Sequence, residues 1–167
     1  KQEQLASEYE IPLLYDGAHA FGVKHLGKSI FNYGTVSTCS FHATKLFHTG
    51  EGGALFCQDK NVYDEMYYRH NFGHDGPLKF HGVGINAKIS ELQAAMGLSV
   101  FPFMENIINA RKKVCDLYDS LLNIELLQRL KIREQTEWNY SYYPRIFESE
   151  AQLIGCLNHL AALNVYP

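Results

Sequence analysis

The sequence predicts an α/β fold, with a mainly parallel sheet and helices on both faces, and three observations carry that prediction. A stretch of helical composition, residues 4–10, runs straight into the wholly apolar segment Ile11-Pro-Leu-Leu-Tyr15, the pattern of a strand buried on both sides. A β-branched run over residues 35–41 is followed by a glycine cluster and a second apolar run over 54–57, which reads as strand, loop, strand. Finally, 167 residues that are 46% hydrophobic and 20% charged can bury a sizeable core in one large or two small domains.

Composition also excludes several classes of function. A net charge of −3 gives no electrostatic reason for nucleic acid or an anionic membrane as partner. No apolar run approaches the roughly 18 residues of a membrane span, and the start at Lys1 is neither a signal peptide nor a methionine. The expectation is a cytoplasmic chain that has been cut. The 4 cysteines have no CxxC spacing, so reduced, buried thiols are expected. The 8 histidines do not point to a metal site. His70 and His74 are spaced for one helix face, but Gly73 lies between them and no HExxH motif or cysteine partner accompanies them.

In chain order, the helix at 4–10 begins abruptly, as if entered partway, and the strand after it ends in Asp16. Open α/β sheets collect ligands beyond the carboxyl ends of their strands, which places Asp16 and the end of the 35–41 strand at one crevice. From the residues alone, Asp16 is a metal ligand, a partner for a protonated ring nitrogen, or the N-cap of residues 17–22.

Lys45 is the centre of the candidate chemistry. It follows the second strand within Ser40-Phe-His-Ala-Thr-Lys45, and a lysine there becomes a nucleophile or Schiff-base former if desolvation or a neighbouring positive charge makes its ammonium lose a proton easily. Phe41 and Phe47 offer an apolar wall. Gly50, Gly52 and Gly53 let backbone approach a ligand, and Ser40 offers a hydroxyl to a phosphate oxygen. A lysine snorkelling from a loop beside a glycine turn is the plainer alternative. The glycine cluster is not a Walker loop, since no Gly-Lys-Ser/Thr follows.

Further along, residues 61–70 have helical spacing, and 72–84 form a glycine- and histidine-rich loop suited to a substrate entrance. Residues 88–100 and 103–122 read as two helices broken near Pro102. The remainder reads as strand (124–127), strand (140–147) and helix (150–163), a unit of a smaller α/β domain.

Four segments in order, Asp16-Gly-Ala-His19-Ala-Phe-Gly22, Ser40 to Lys45, Gly50-Glu-Gly-Gly53 and Gly84-Ile-Asn86-Ala-Lys-Ile-Ser-Glu91-Leu-Gln-Ala-Ala95, resemble the nucleotide-sugar aminotransferases of the DegT/DnrJ/EryC1/StrS family. The resemblance runs through essentially the whole chain. It implies part of the fold-type I large domain over 1–101, a linking helix over 102–122 and part of a small C-terminal domain over 123–167. It also implies pyridoxal 5′-phosphate as cofactor, with Asp16 paired to its pyridinium nitrogen, Lys45 as the Schiff-base lysine that also moves the proton, His19 beside the ring and Ser40 on the phosphate. Asn86 matches a loop that in relatives crosses a dimer interface toward the other subunit's cofactor phosphate, so a homodimer with shared active sites is implied. An ordinary turn residue after Gly84 stays open for it.

The implied reaction carries an amino group from an amino acid, by family habit glutamate, to a keto-sugar nucleotide in amino-sugar and cell-surface polysaccharide biosynthesis. A sugar dehydratase of the same family, with histidine in place of the lysine, is one alternative, and a catalytically silent cofactor-binding or dimerisation piece is another. The N-terminal half that in relatives supplies a backbone nest for the phosphate and a stacked aromatic ring has no counterpart here, and Lys88 stands where many relatives have Arg. These 167 residues alone are therefore expected to be inactive.

Overall fold

The computed structural model describes residues 1–122 and 127–167. All of the strand expected over 124–127 except its last residue lies outside them.

Helix α1 (Gln2–Glu8) starts earlier than its composition suggests, and it cannot run through Glu10, which takes a left-handed φ of 53°. Strand β1 (Leu14–Asp16) follows. The short hairpin β2 (Lys24–His25) and β3 (Lys28–Ser29) leads into a 3₁₀ turn (Ile30–Asn32) capped by the Ser29 hydroxyl. Strands β4 (Val36–Ser40) and β5 (Gly53–Cys57) bracket the glycine-rich loop as the sequence predicts.

The pairing is mixed rather than mainly parallel. Strands β1 and β4 run parallel, with Asp16 opposite Thr38, whereas β5 returns antiparallel with Gly53 opposite Ser40. An apolar run does not encode its own direction. Here the 12-residue connection from 41 to 52 folds back on itself, so its two strands meet as a hairpin. Nor is β1 buried. Leu14 is 65% exposed, and Ile11 just before the strand 59%, because a sheet face is buried only where another layer covers it. Segment 17–22 forms turns rather than a helix, so Asp16 does not cap one.

Helix α2 (Lys60–Arg69) is capped by the Asp59 carboxylate, which accepts from the Asn61 and Val62 amides. Helix α3 (Glu91–Val100) begins later than expected, at the reciprocal cap between Ser90 and Gln93. A 3₁₀ turn (Phe101–Phe103) containing Pro102 joins it to α4 (Met104–Leu121).

The main core lies between the Lys45 loop and the start of α4. Leu46, Phe47 and Met104 are buried there, with Phe21, Phe41, Val100, Ile107 and Ile108 against them. Phe21 stacks on Phe47 at 4.4 Å. A Cβ at Gly97 would lie 2.8 Å from Thr49 Cγ2, so only glycine lets α3 come this close to the loop.

Strand β6 (Gln128–Arg129) pairs with β8 (Arg145–Ile146), and α5 (Glu150–Ala162) starts at a Ser149 cap. The strand expected over 140–147 is thus reduced to two residues. Between β6 and β8, strand β7 (Thr136–Glu137) returns to pair with β2. Asp119 ties α4 to this region, accepting from Tyr143 and pairing with Arg129 and Arg145.

Candidate active site

Lys45 sits in a loop that is folded by its own backbone. The Lys45 amide donates to the His42 carbonyl (2.9 Å), the Thr49 amide to Phe41 (2.9 Å) and the Phe41 amide to Gly52 (2.8 Å). Buried Thr49 gives its hydroxyl to the Glu51 carbonyl at 2.6 Å. Gly52 has φ 152°, and a Cβ there would lie 2.5 Å from Thr49 Oγ1. The glycine is therefore needed both for its backbone and for its space. Leu46 and Phe47 point into the core, which leaves Lys45 half-buried at the end of β4.

The structure brings His19 to Lys45. The lysine Nζ lies 3.3 Å from Nε2 and 3.5 Å from Nδ1 of the imidazole. Asp16 ends the adjacent parallel strand, opposite Thr38 and two residues short of Ser40, so carboxylate, hydroxyl and amine belong to neighbouring strand ends. The Asp16 carboxylate is exposed and accepts from the Ala18 amide at 3.0 Å, an Asx turn that opens the loop carrying His19. Ser40 Oγ accepts from the His42 amide at 3.3 Å and is half-buried.

Asn86 is not brought to this group. It lies on the exposed loop before α3, bridged to Asn71, and its side-chain oxygen accepts from Lys88 at 2.6 Å. Lys88 also lies 4.2 Å over the Phe72 ring. Beneath the site, burial pushes the Cys39 thiol up to about 11, so this cysteine is an inert part of β4.

Residues 1–162 match the DegT/DnrJ/EryC1/StrS aminotransferase family. The chain belongs to this family. It is 31% identical, over 97% of its length, to the dTDP-4-amino-4,6-dideoxy-D-glucose transaminase of Shigella dysenteriae, of which that match covers 45%. A crystal structure of DesI in the presence of its TDP-sugar product superposes with TM-score 0.85 at 29% identity, over 98% of this chain and 43% of that one. The aminotransferase TlmJ from Streptoalloteichus hindustanus has the same fold, with TM-score 0.90 at 20% identity over 98% of this chain and 46% of its own. The chain thus spans less than half the length of the relatives it matches.

Three neighbours of the site escape sequence reasoning. Asn139 is 2% exposed and donates through Nδ2 to the carbonyls of His19 (2.9 Å) and Phe21 (2.7 Å). Tyr142 meets the His19 ring edge-on at 5.0 Å. Thr49 holds the Lys45 loop from below. The first two are more than a hundred positions from the residues they touch and carry no local signal.

The donor set fits pyridoxal phosphate. A carboxylate suits a protonated ring nitrogen, an amine suits an aldehyde and a hydroxyl suits a phosphate oxygen; the carboxylate and hydroxyl end adjacent strands and the amine lies on the loop that follows one of them. Among the described residues no group of three or more His, Cys, Asp or Glu side chains is placed to hold a metal, and no helix is long and apolar enough to cross a membrane.

Proposed function

We propose that these residues are part of a pyridoxal-phosphate-dependent aminotransferase that moves an amino group from an amino acid, glutamate in the first instance, to the keto group of a nucleotide-linked sugar. The observation that carries this reading is the Lys45 amine, held against His19 beside the strand that ends in Asp16. Family membership and the named transaminase among the relatives support it.

When bound, pyridoxal phosphate supplies an aldehyde that links to an amine and a ring that takes up electrons from the carbon being deprotonated. The residues of this chain do the rest. Asp16 would keep a proton on the ring nitrogen, because a carboxylate beside it favours the charged form. Lys45 would hold the aldehyde and, as a free amine, would move the proton at the substrate carbon. The His19 ring, packed against the Lys45 amine, would limit where that amine swings, and the Ser40 hydroxyl would donate to a phosphate oxygen. Asn86, on a separate loop before α3, would serve the other subunit of a homodimer. A cytoplasmic setting suits a nucleotide-sugar substrate.

Lys45 is half-buried rather than enclosed, and Leu14 on β1 is exposed. Both observations fit a site whose remaining wall comes from elsewhere in a longer protein. The residues 1–101, 102–122 and 123–167 would then be large-domain, linking-helix and small-domain parts, and 1–167 alone would not turn over. A dehydratase of the family would carry histidine at position 45, and the lysine there disfavours it.

The test is a half-reaction in the full-length protein. Glutamate should convert the aldehyde form of the cofactor to the amine form stoichiometrically, and a panel of keto-sugar nucleotides should convert it back. Failure of both conversions would overturn the reading.

A further inference from the structure

We propose that Asn139 is a positioning residue that sets His19 against Lys45, with Tyr142 fixing the imidazole from its outer side. The proposal rests on the reading of Lys45 as the amine that takes the cofactor.

Asn139 has two N–H donors and spends both on one turn, on the carbonyls of His19 and Phe21. Its own oxygen accepts from the Ser141 amide at 3.2 Å. Tyr140, between them, takes a left-handed φ of 56°, and the tight turn so formed delivers the Tyr142 ring to the edge of His19. Strand β7 docks on β2 immediately before this turn, with His25 Nδ1 and Thr136 Oγ1 3.1 Å apart. His19 is therefore gripped at its backbone by one residue and at its ring by another, both from one segment.

The side-chain chemistry is specific. An aspartate offers no donor, an alanine leaves two carbonyls unpaired, and a glutamine is one methylene too long for the same two bonds. The lysine contact that depends on this grip is packing against the ring, with Nζ 3.3 Å and 3.5 Å from the two imidazole nitrogens, so a shift of about 1 Å in the turn loses much of it. Burial of Asn139 would also serve stability alone, and only an effect transmitted through His19 distinguishes positioning from that.

The experiment measures, in the full-length protein, the rate at which pyridoxal phosphate attaches to Lys45, by timed borohydride trapping and peptide mass spectrometry. Asn139→Ala should slow attachment about tenfold, His19→Ala should do the same, and the double variant should be no slower than His19→Ala alone. If the two effects multiply, or if either single variant attaches at the parental rate, the proposal fails. Should Asn139→Ala not fold, Tyr142→Ala replaces it at a half-exposed position. Its slowing, about threefold, should vanish in the His19→Ala background, and persistence of the slowing there would overturn the proposal.

Amide exchange gives a second readout that needs no cofactor. The Ala20 and Val23 amides, which donate to Gly17 and Ala20, should exchange faster in Asn139→Ala or Tyr142→Ala than in the parent. If the parent itself does not attach at Lys45, the proposed function fails, while unchanged exchange at these amides would separately refute the grip on the His19 loop.

Discussion

Lys45 Nζ lies 3.3 Å from Nε2 of His19, although the two residues come from loops that follow different strands. Neighbouring parallel strands end at one edge of the sheet, so residues 26 positions apart meet there without any local sequence signal. Because Nδ1 is also only 3.5 Å away, the amine lies against the ring and not in line with the in-plane lone pair of either nitrogen.

Lys45→Ala in the full-length protein should lower the amino-transfer rate by about 10³–10⁴-fold, because one side chain both anchors the cofactor and moves the proton. Steady-state assay with keto-sugar nucleotide and glutamate reads the effect. Turnover within tenfold of the parent would remove Lys45 from the chemistry.

Asp16→Asn keeps the shape and removes the charge. Cofactor should still attach, while deprotonation slows on the order of 10²-fold. Parental rates would reduce Asp16 to the Asx turn it makes with Ala18.

The sequence made the neighbourhood of Lys45 legible because that neighbourhood is local. A β-branched run, a glycine cluster and a second apolar run lie within 35–57, and β4 and β5 fall where these patterns place them. The helices on either side of Pro102 were legible for the same reason, through a breaker. Three features depend on what a segment meets rather than on its own pattern. The direction of β5 was one, the exposure of β1 was another, and the two-residue pairing of β7 with β2 was too short for any alternation to reveal. Asn139 was hidden the same way, since a single Asn before a tyrosine-rich run reads as an ordinary strand edge.

Gly17→Ala tests the packing under the Asp16 loop. The added Cβ would lie 2.8 Å from Phe31 Cε1 and 2.8 Å from the Thr38 carbonyl oxygen, and the carbonyl belongs to β4 and cannot give way. Denaturant titration should show a loss of about 1–3 kcal/mol. An unchanged midpoint would mean that the strand end is looser than these contacts describe.

Cys39 and Cys115 are buried, and burial raises both thiols above their ordinary value of 9.0, Cys39 to about 11. At pH 8, iodoacetamide should therefore label half-buried Cys57 and Cys156 well before either of them. The sign for stability follows from the raised value. The contribution of Cys39 is whole below the unfolded thiol's pKa and is lost as pH rises from about 9 through about 11, so stability should fall over that window. Equal labelling of all four cysteines in the folded protein would contradict the burial of β4.

The most direct test of the central claim is to load the full-length protein with pyridoxal phosphate, reduce it with borohydride and map the modified peptide. The account predicts one phosphopyridoxyl group per chain, on Lys45, and none in Lys45→Ala. Reduction onto any other lysine, or the same stoichiometry in Lys45→Ala, would contradict it.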